Sequence, residues 1–432
     1  MPDMDILDVR LHGEPVGTLT RLGRERIVFG FDSGYLDDAE RPTLSLSFRD
    51  AFGRVATDVA PTRVEAPPFF SNLLPEGSLR EYLARSAGID PKSEFALLGA
   101  LGEDLPGALS IAPAGGVGGA SDALPRVGRE RGGRSGGRGT PDSVVRPLFG
   151  TTTPAPRPSG PLRFSLAGTQ LKVPAGMAGG RLTVPPHGVG GTWIVKLPSP
   201  GFPGLPEQEH AMMWLAASCG IAAAETRLVP VAEIGGLPRG MGETGGFALA
   251  VRRFDRLDDG MRIHGEDFAQ VLGMPPGEKY GGATYRRMAE IIGRECGHED
   301  ATEFVRRLVF CALTGNGDAH LKNWSLHYPD GRRPALAPAY DLVSTIPYAT
   351  DGGGMALEWV TGAAGFADLS EALLTRLATG ARLPRQAVLE VAGETVARFR
   401  EVWSARKGDL GIPGEVVAGV TGAWRVGREG GG

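Results

Sequence analysis

Between Pro113 and Gly160 the chain loses the means to build a core. The run GGVGGASDALPRVGRERGGRSGGRGTPDSVVRPLFGTTTPAPRPSG is made mostly of Gly, Pro, Ser, Thr and Arg. Too little apolar surface is available there to offset chain entropy, so the segment is predicted to be a disordered insert, and the residues on either side must fold around it. Its seven arginines outnumber its three acidic residues. No aromatic residues alternate with them, which favours a solvated linker over a nucleic-acid arm.

The flanks carry clear periodicity. Within residues 5–60, DILDVRLHG, PVGTLTRLG, RIVFGF and PTLSLSF alternate apolar and polar positions, the pattern of a half-exposed antiparallel sheet. In APPFFSNLLPEGSLREYLARSAGI a helix opens at Pro75 and Glu76, carries Leu79, Tyr82 and Leu83, and ends at Gly88. A short helix in PKSEFALLGALG and a strand in EDLPGALSI follow. After the insert, PLRFSLAGTQLKVPA, RLTV and TWIVKLP read as strands, and LPEQEHAMMWLAASCGI as a helix with Pro206 at its first position and Gly220 at its end. TRLVPVAEI and GFALAVRRF add two strands. Beyond Asp255 the pattern turns helical: GEDFAQVLG, TYRRMAEIIGREC, ATEFVRRLVFCALTG, LSEALLTRLATGA and PRQAVLEVAGETVARFREVWSARKG. The expected architecture is α+β and bilobal, with a β-rich subdomain at 1–112, the insert at 113–160, a sheet lobe at 161–255 and a helical lobe at 256–425.

A net charge of −4 over 432 residues argues against a global electrostatic grip on nucleic acid. No run approaches the ~18 apolar residues of a membrane span. MPDMDILDVRLHG lacks an apolar signal core, and Cys219, Cys296 and Cys311 sit in apolar helical contexts, so a reducing cytoplasm is expected. The seven histidines show no H-x-x-x-H spacing and make no case for zinc.

The chemistry concentrates in GNGDAHLKNWSL, Gly315 to Leu326, and in AYD ending at Asp341. Asn323 lies five residues after Asp318, and Asp341 eighteen after Asn323. A carboxylate to accept a hydroxyl proton, an amide oxygen for one magnesium and a second carboxylate for magnesium on the β/γ-phosphates are what phosphoryl transfer from a nucleotide needs, in protein-kinase order. Polar loops also favour Asp, Asn and Gly, but this one lies between an apolar helix-like run and the strand-like WSLHY. Lys196 ends TWIVK, either a strand-end surface lysine or a group reaching the α/β-phosphates. Glu207 and Glu209 are both placed to orient it or merely to complement the helix dipole, and Glu209 is the choice for the pairing. The turn SLAGTQLKV, Ser165 to Val173, has backbone amides able to cradle phosphate. VRRFDR, Val251 to Arg256, sits between lobes, where backbone groups can meet adenine; otherwise its charged side chains are explained as a solvated connection. His320 can touch a phosphate or buttress its loop.

SLAGTQLK, TWIVKLP, LAVRRFDR, EDFAQVLG with EKY, GNGDAHLKNWSL and LAPAYDLVST, in that order, resemble the successive motifs of HipA-type serine/threonine kinases, the toxin components of bacterial HipBA toxin–antitoxin modules. LDVRLHGEPVGTL and FFSNLLPEG, with LLGALGED and PGALSI, are similar to that family's N-terminal subdomain. The resemblance implies a protein-kinase-like fold, Asp318 as catalytic base, Asn323 and Asp341 as Mg²⁺ ligands, and Lys196 on the phosphates of ATP. It places adenine along the backbone at Arg252, Arg253 and Phe254, His320 and Tyr340 beside the nucleotide, and the phosphate loop at Ala167, Gly168, Thr169, Gln170, Leu171 and Lys172. Ser165 matches the autophosphorylated serine whose modification ejects that loop and silences the enzyme. Two departures stand out: Arg252 replaces the acidic residue expected before Arg-Phe-Asp-Arg, and the insert directly precedes Ser165. Implied partners are a HipB-like helix-turn-helix antitoxin, DNA only through that antitoxin, and a protein substrate such as an aminoacyl-tRNA synthetase, with no membrane. Alternatives are a small-molecule phosphotransferase and a nucleotide-binding regulatory subunit of an antitoxin–DNA complex.

Deleting residues 115–155 should leave a stable chain, because a stretch without apolar periodicity contributes little burial. A thermal melt of the deletion variant within a few degrees of the parent is expected; insolubility or a much lower transition would make the segment structural.

Overall fold

Alternation in the first 31 residues becomes three antiparallel strands in the computed structural model: β1 (Met4–Leu11), β2 (Glu14–Leu22) and β3 (Arg26–Phe31). The structure describes residues 4–23, 26–50, 52–63, 65–115, 171–185, 190–199, 201–237, 245–348 and 354–429. His12 and Gly13 have φ of 53° and 86°, the two left-handed residues of a tight hairpin turn whose twist matches its strands. Alternate positions Leu7, Val9, Leu11, Leu19, Ile27 and Phe29 are buried, as a period of two requires. β4 (Thr62–Arg63) and β5 (Leu109–Pro113) complete the order β4-β3-β2-β1-β5. Four helices accompany this sheet: α1 (Ser33–Asp37), α2 (Pro68–Ser71), α3 (Gly77–Ala87) and α4 (Glu94–Leu101).

PTLSLSF is not the fourth strand its alternation predicts. Leu46–Phe48 form a 3₁₀ turn capped by the Ser45 hydroxyl, and the Ser45 hydroxyl and Leu46 N–H donate to Glu266 of the helical lobe. A distant buried carboxylate thus outcompetes the ladder.

A second antiparallel sheet contains β6 (Lys172–Ala178), β7 (Arg181–Thr183), β8 (Trp193–Lys196), β9 (Thr226–Pro230) and β10 (Phe247–Arg252), in the order β7-β6-β8-β10-β9. Helix α5 (Leu205–Ser218) links β8 to β9. Buried residues of both sheets, from Leu7 through Val173 and Val195 to Ala250, form one contiguous apolar cluster.

The remaining residues build a second cluster around helices. GEDFAQVLG splits into β11 (His264–Asp267) and the one-turn α6 (Phe268–Val271), because Asp267 and Gln270 form a capping box that starts the helix late. α7 (Tyr285–Glu295) and α8 (His298–Thr314) follow. β12 (Ser325–Tyr328) and β13 (Ala335–Leu336) pair in the order β11-β12-β13. α9 (Glu371–Ala381), α10 (Arg385–Arg406) and α11 (Gly414–Glu429) close the lobe. α8 is its axis: Phe304, Val305, Leu308, Val309, Phe310 and Cys311 are each fully buried. Met212, Met213, Leu215 and Ala216 join α5 to this cluster, so α5 touches the second sheet and the helices alike. No helix among the described residues is long and apolar enough to cross a membrane.

α8 must end where the Asp318 loop begins. Gly315 ends it at φ 67°, and a Cβ there would fall 2.2 Å from Ile346 Cδ1. Gly315→Ala should therefore destabilise the protein by roughly 1–2 kcal/mol through left-handed strain, plus the displacement of Ile346. Chemical denaturation checks this, and unchanged stability would mean the turn has another conformation open to it.

Candidate active site

Lys196 lies at the end of β8, inside a five-stranded sheet, and only 6% of it is exposed. Its Nζ donates to Glu209 Oε1 at 2.6 Å and to Asp341 Oδ1 at 2.5 Å. The surface-lysine alternative does not describe it. α5 supplies the glutamate because Gln208 Nε2 donates to Ser344 O at 3.0 Å, which pins the first helical turn beside the Asp341 segment. Of the two acids, Glu209, the one chosen from sequence, is the partner, at 1% exposure.

One ammonium between two carboxylates sets the electrostatics. Burial opposes the charge on Lys196, but Asp341 and Glu209 outweigh it and hold its pKa above the ordinary lysine value. Burial pushes Glu209 up to about 7 despite Lys196. Burial also works against Asp341, yet Lys196 and then Lys172 hold its carboxyl down to about 2. Lys172 stands opposite Lys196 in the β6–β8 register. Burial and that neighbouring ammonium push it down to about 8.

Asp341 itself has φ of 59°, in the left-handed region that non-glycine residues rarely occupy. Its surroundings hold it there. Ala339 exchanges backbone hydrogen bonds with Ala222 and Ala224, 2.7 and 2.8 Å long. The Tyr340 hydroxyl donates to Lys322 O at 2.9 Å and pairs with the Ser325 hydroxyl at 2.6 Å. Thr345 Oγ1 accepts the Gly317 N–H at 2.9 Å, tying the two loops together.

The Asp318 loop is braced from within. Its N–H donates to Asn316 Oδ1 at 3.0 Å, and its carbonyl accepts from Asn323 Nδ2 at 2.7 Å and from the His320 N–H at 2.7 Å. The adjoining Ala319 carbonyl takes the Tyr285 hydroxyl and the Trp324 indole N–H, at 2.9 and 3.0 Å. With the amide nitrogen of Asn323 engaged, Oδ1 is its atom available to a cation. The Asp318 carboxylate receives the Tyr280 hydroxyl at 2.5 Å. His320 is buried, lies edge-on to Tyr280, and its Nδ1 has no hydrogen-bond partner among the described residues.

VRRFDR is not a solvated connection. Arg253, Asp255 and Arg256 are all nearly buried. Arg253 makes a two-pronged pair with Asp255, while Arg256 reaches Asp255, Asp104, Leu105 O and Gly107 O. Charges that look hydrophilic in sequence pair with one another across the sheet–lobe boundary. The Arg252 N–H is donated to Glu225 O, and its guanidinium reaches Asp258. The Phe254 ring stacks on Tyr340 with centroids 5.9 Å apart, and the Phe254 N–H makes no hydrogen bond among the described residues.

Lys196, Glu209, Lys172 and Asp341 thus meet in one cluster, and Tyr340 links the Phe254 segment to the Asp318–Asn323 loop. Leu171 donates no side-chain chemistry, but its carbonyl accepts the Leu197 N–H at 3.0 Å. Ser165, Ala167, Gly168, Thr169 and Gln170 lie outside the described residues. Sequence reasoning overlooked the hydroxyl of Tyr280 as a neighbour of Asp318 and the carboxylate of Glu76, whose two lysine partners flank that loop. EKY and LPEG were visible as motifs, but nothing in their spacing pairs them with Asp318. A cavity of about 600 Å³ lies elsewhere, walled by Arg41, Arg49, Glu295 and Arg332, and none of the candidate site residues lines it.

Lys196→Met would leave two carboxylates without their cation, a loss of about 3–5 kcal/mol for a broken buried pair. Glu209 has a folded pKa above its unfolded value, so its contribution is fully present below about 4.5 and is lost as pH rises towards 7. The variant's deficit should accordingly be smaller at pH 5.5 than at pH 8, as read by denaturant melts at both. An equal deficit at both would show that Glu209 does not take up the proton.

Residues 164–403 match the HipA-like C-terminal domain, and residues 7–112 match the HipA N-terminal domain. A Sinorhizobium fredii protein whose name marks it as a candidate kinase is 48% identical over 96% of this chain and 95% of its own length. The serine/threonine-protein kinase toxin HipA of Shewanella oneidensis is 28% identical over 65% of this chain and 63% of its own. In fold, the chain is similar to a structure of the Shewanella oneidensis toxin–antitoxin complex of HipA, HipB and operator DNA, with a TM-score of 0.68, 22% identity, and coverage of 98% of this chain and 97% of the other.

Proposed function

Since this chain belongs to the HipA family, we propose that it is an ATP- and Mg²⁺-dependent serine/threonine protein kinase, the toxin of a type II toxin–antitoxin module. The observation that carries the reading is Lys196 fixed between Glu209 and Asp341 beside the braced Asp318–Asn323 loop. Lys196 takes the α/β-phosphates, with Glu209 holding it in place. Asp318 accepts the proton of a serine or threonine hydroxyl as that oxygen attacks the γ-phosphate.

Asn323 Oδ1 and the Asp341 carboxylate are hard oxygen donors, few enough to suit Mg²⁺, which keeps several waters and shares phosphate oxygens. When bound, that ion neutralises charge on the β- and γ-phosphates. The buried, unpartnered His320 Nδ1 is a further polar atom fit to meet a phosphate. The Phe254 N–H and the stacked Phe254–Tyr340 pair mark the adenine end, with Arg252 and Arg253 lending backbone.

Lys172, the last residue of the proposed phosphate loop Ala167 to Lys172, begins β6 and joins that loop to the ionic cluster. Phosphorylation of Ser165 adds about −1.5 to −2 charge beside a loop that must hold anionic phosphates, and so silences the enzyme. The Shewanella oneidensis HipA complex with HipB and operator DNA supports a HipB-like antitoxin as partner, with DNA reached through it. A translation component such as an aminoacyl-tRNA synthetase is the proposed substrate, and the cytoplasm the place of action.

Asp318→Ala should lower phosphoryl transfer by roughly 10²–10⁴-fold with little change in melting temperature. Mass spectrometry of wild-type protein after incubation with Mg-ATP should find phosphate on Ser165. Transfer at the wild-type rate by folded Asp318→Ala would sink the assignment.

A further inference from the structure

Glu76 opens α3, more than two hundred residues before the Asp318 loop, yet its carboxylate does not cap its own helix. Each oxygen instead takes a different lysine: Oε1 accepts from Lys322 Nζ and Oε2 from Lys279 Nζ, both at 2.7 Å. All three side chains are largely covered, with 17% of Glu76, 13% of Lys279 and 4% of Lys322 exposed. Lys322 Nζ also donates to Asn72 O at 3.2 Å. Burial opposes ionisation of Glu76, but Lys322 and Lys279 hold its carboxyl down to about 2, so the carboxylate stays charged through the neutral range.

Lys322 belongs to the Asp318–Asn323 loop, and Lys279 bonds that loop through its backbone. Lys322 immediately precedes Asn323, and its carbonyl accepts the Tyr340 hydroxyl at 2.9 Å. The carbonyl of Lys279 accepts the Leu321 N–H at 3.2 Å. Lys279 is followed by Tyr280, whose ring lies 5.6 Å from the Lys279 ammonium and whose hydroxyl bonds the Asp318 carboxylate. One carboxylate from the N-terminal sheet region therefore fixes the segment that orients Asp318 and the residue beside Asn323.

We propose that Glu76 is a positioning residue for the Asp318–Asn323 loop, so that the N-terminal region is a working part of the phosphoryl-transfer site. The proposal rests on the kinase reading above for its rate effect, but not for its effect on the loop. Without Glu76, Lys322 keeps, among the described residues, the Asn72 carbonyl and the nearby Asp267 carboxyl, and that carboxyl already accepts the Gln270 N–H at 2.9 Å. Lys279 keeps no acidic partner among the described residues.

The test is Glu76→Gln in the full-length chain, read by amide hydrogen exchange and by kinetics. Exchange at residues 318–324 should quicken about tenfold, as expected of a local opening, while α8 stays at its wild-type rate. In phosphoryl transfer kcat should fall about 10–100-fold, with KM for ATP changed less than about threefold, the signature of misplacement rather than lost binding. Wild-type exchange in the loop, or acceleration shared equally by α8, would overturn the proposal. If Glu76→Gln does not fold, Lys279→Met removes one of the two pairs at a surface turn and must quicken exchange at 318–324; wild-type exchange there overturns it equally. Should wild-type protein transfer no phosphate to itself or to host-lysate proteins, the kinase reading fails, and the exchange result alone decides the role of Glu76.

Discussion

One ammonium group joins the two hydrophobic cores of this protein. Lys196 belongs to a strand of the sheet core, whereas Glu209 and Asp341 come from a helix and a loop that pack with the helical core. A buried charge that loses a partner is far costlier than an exposed one. The relative placement of the two cores is therefore set more sharply here than apolar contact would set it. With Lys172, the last residue of the proposed phosphate loop, the cluster holds two basic and two acidic side chains. Like charges opposite one another on neighbouring strands weaken a sheet, so this pairing trades stability for a concentration of positive charge.

The rest of the boundary is also written in buried polar groups. Asp104, Asp255, Arg253 and Arg256 pair with one another, and Glu266 gathers Ser45, Leu46 and Tyr328. Such contacts add little net stability, since desolvation offsets most of their attraction. They do reject misaligned packings, because each displaced partner would leave a charge or donor unsatisfied. The N-terminal region is held in register by directional bonds, and the Glu76 pairs belong to the same set.

What is legible in the sequence is what has a local cause. The helix ending at Gly315, the strand carrying Lys196 and the hairpin at His12–Gly13 follow from periodicity and punctuation. Asp318, Asn323 and Asp341 stand out in the sequence because phosphoryl transfer would need such groups in that order, and the motifs around them point to the family that the chain matches. PTLSLSF misleads because its alternation is real but Glu266, over two hundred residues away, takes its polar groups. VRRFDR misleads because hydrophilic residues bury readily once they pair with one another. Glu76 is invisible for the same reason: an ion pair spanning 203 or 246 residues leaves no periodic trace.

The shared core of the two sheets has a consequence for synthesis. β1 to β5 leave the ribosome with an apolar face that Val173, Val195 and Ala250 will later cover. At roughly 5–20 residues per second, that face waits on the order of ten seconds for its cover. The segment made in the interval carries glycine and arginine rather than competing apolar surface, and lengthening it twofold costs only about 0.6 kcal/mol in closure entropy. Asp318 and Asp341 are made later still. The ammonium of Lys196 can meet its second carboxylate only after the sheet core has its full sequence, so translation itself delays assembly of the ionic centre until the framework that must hold it can exist.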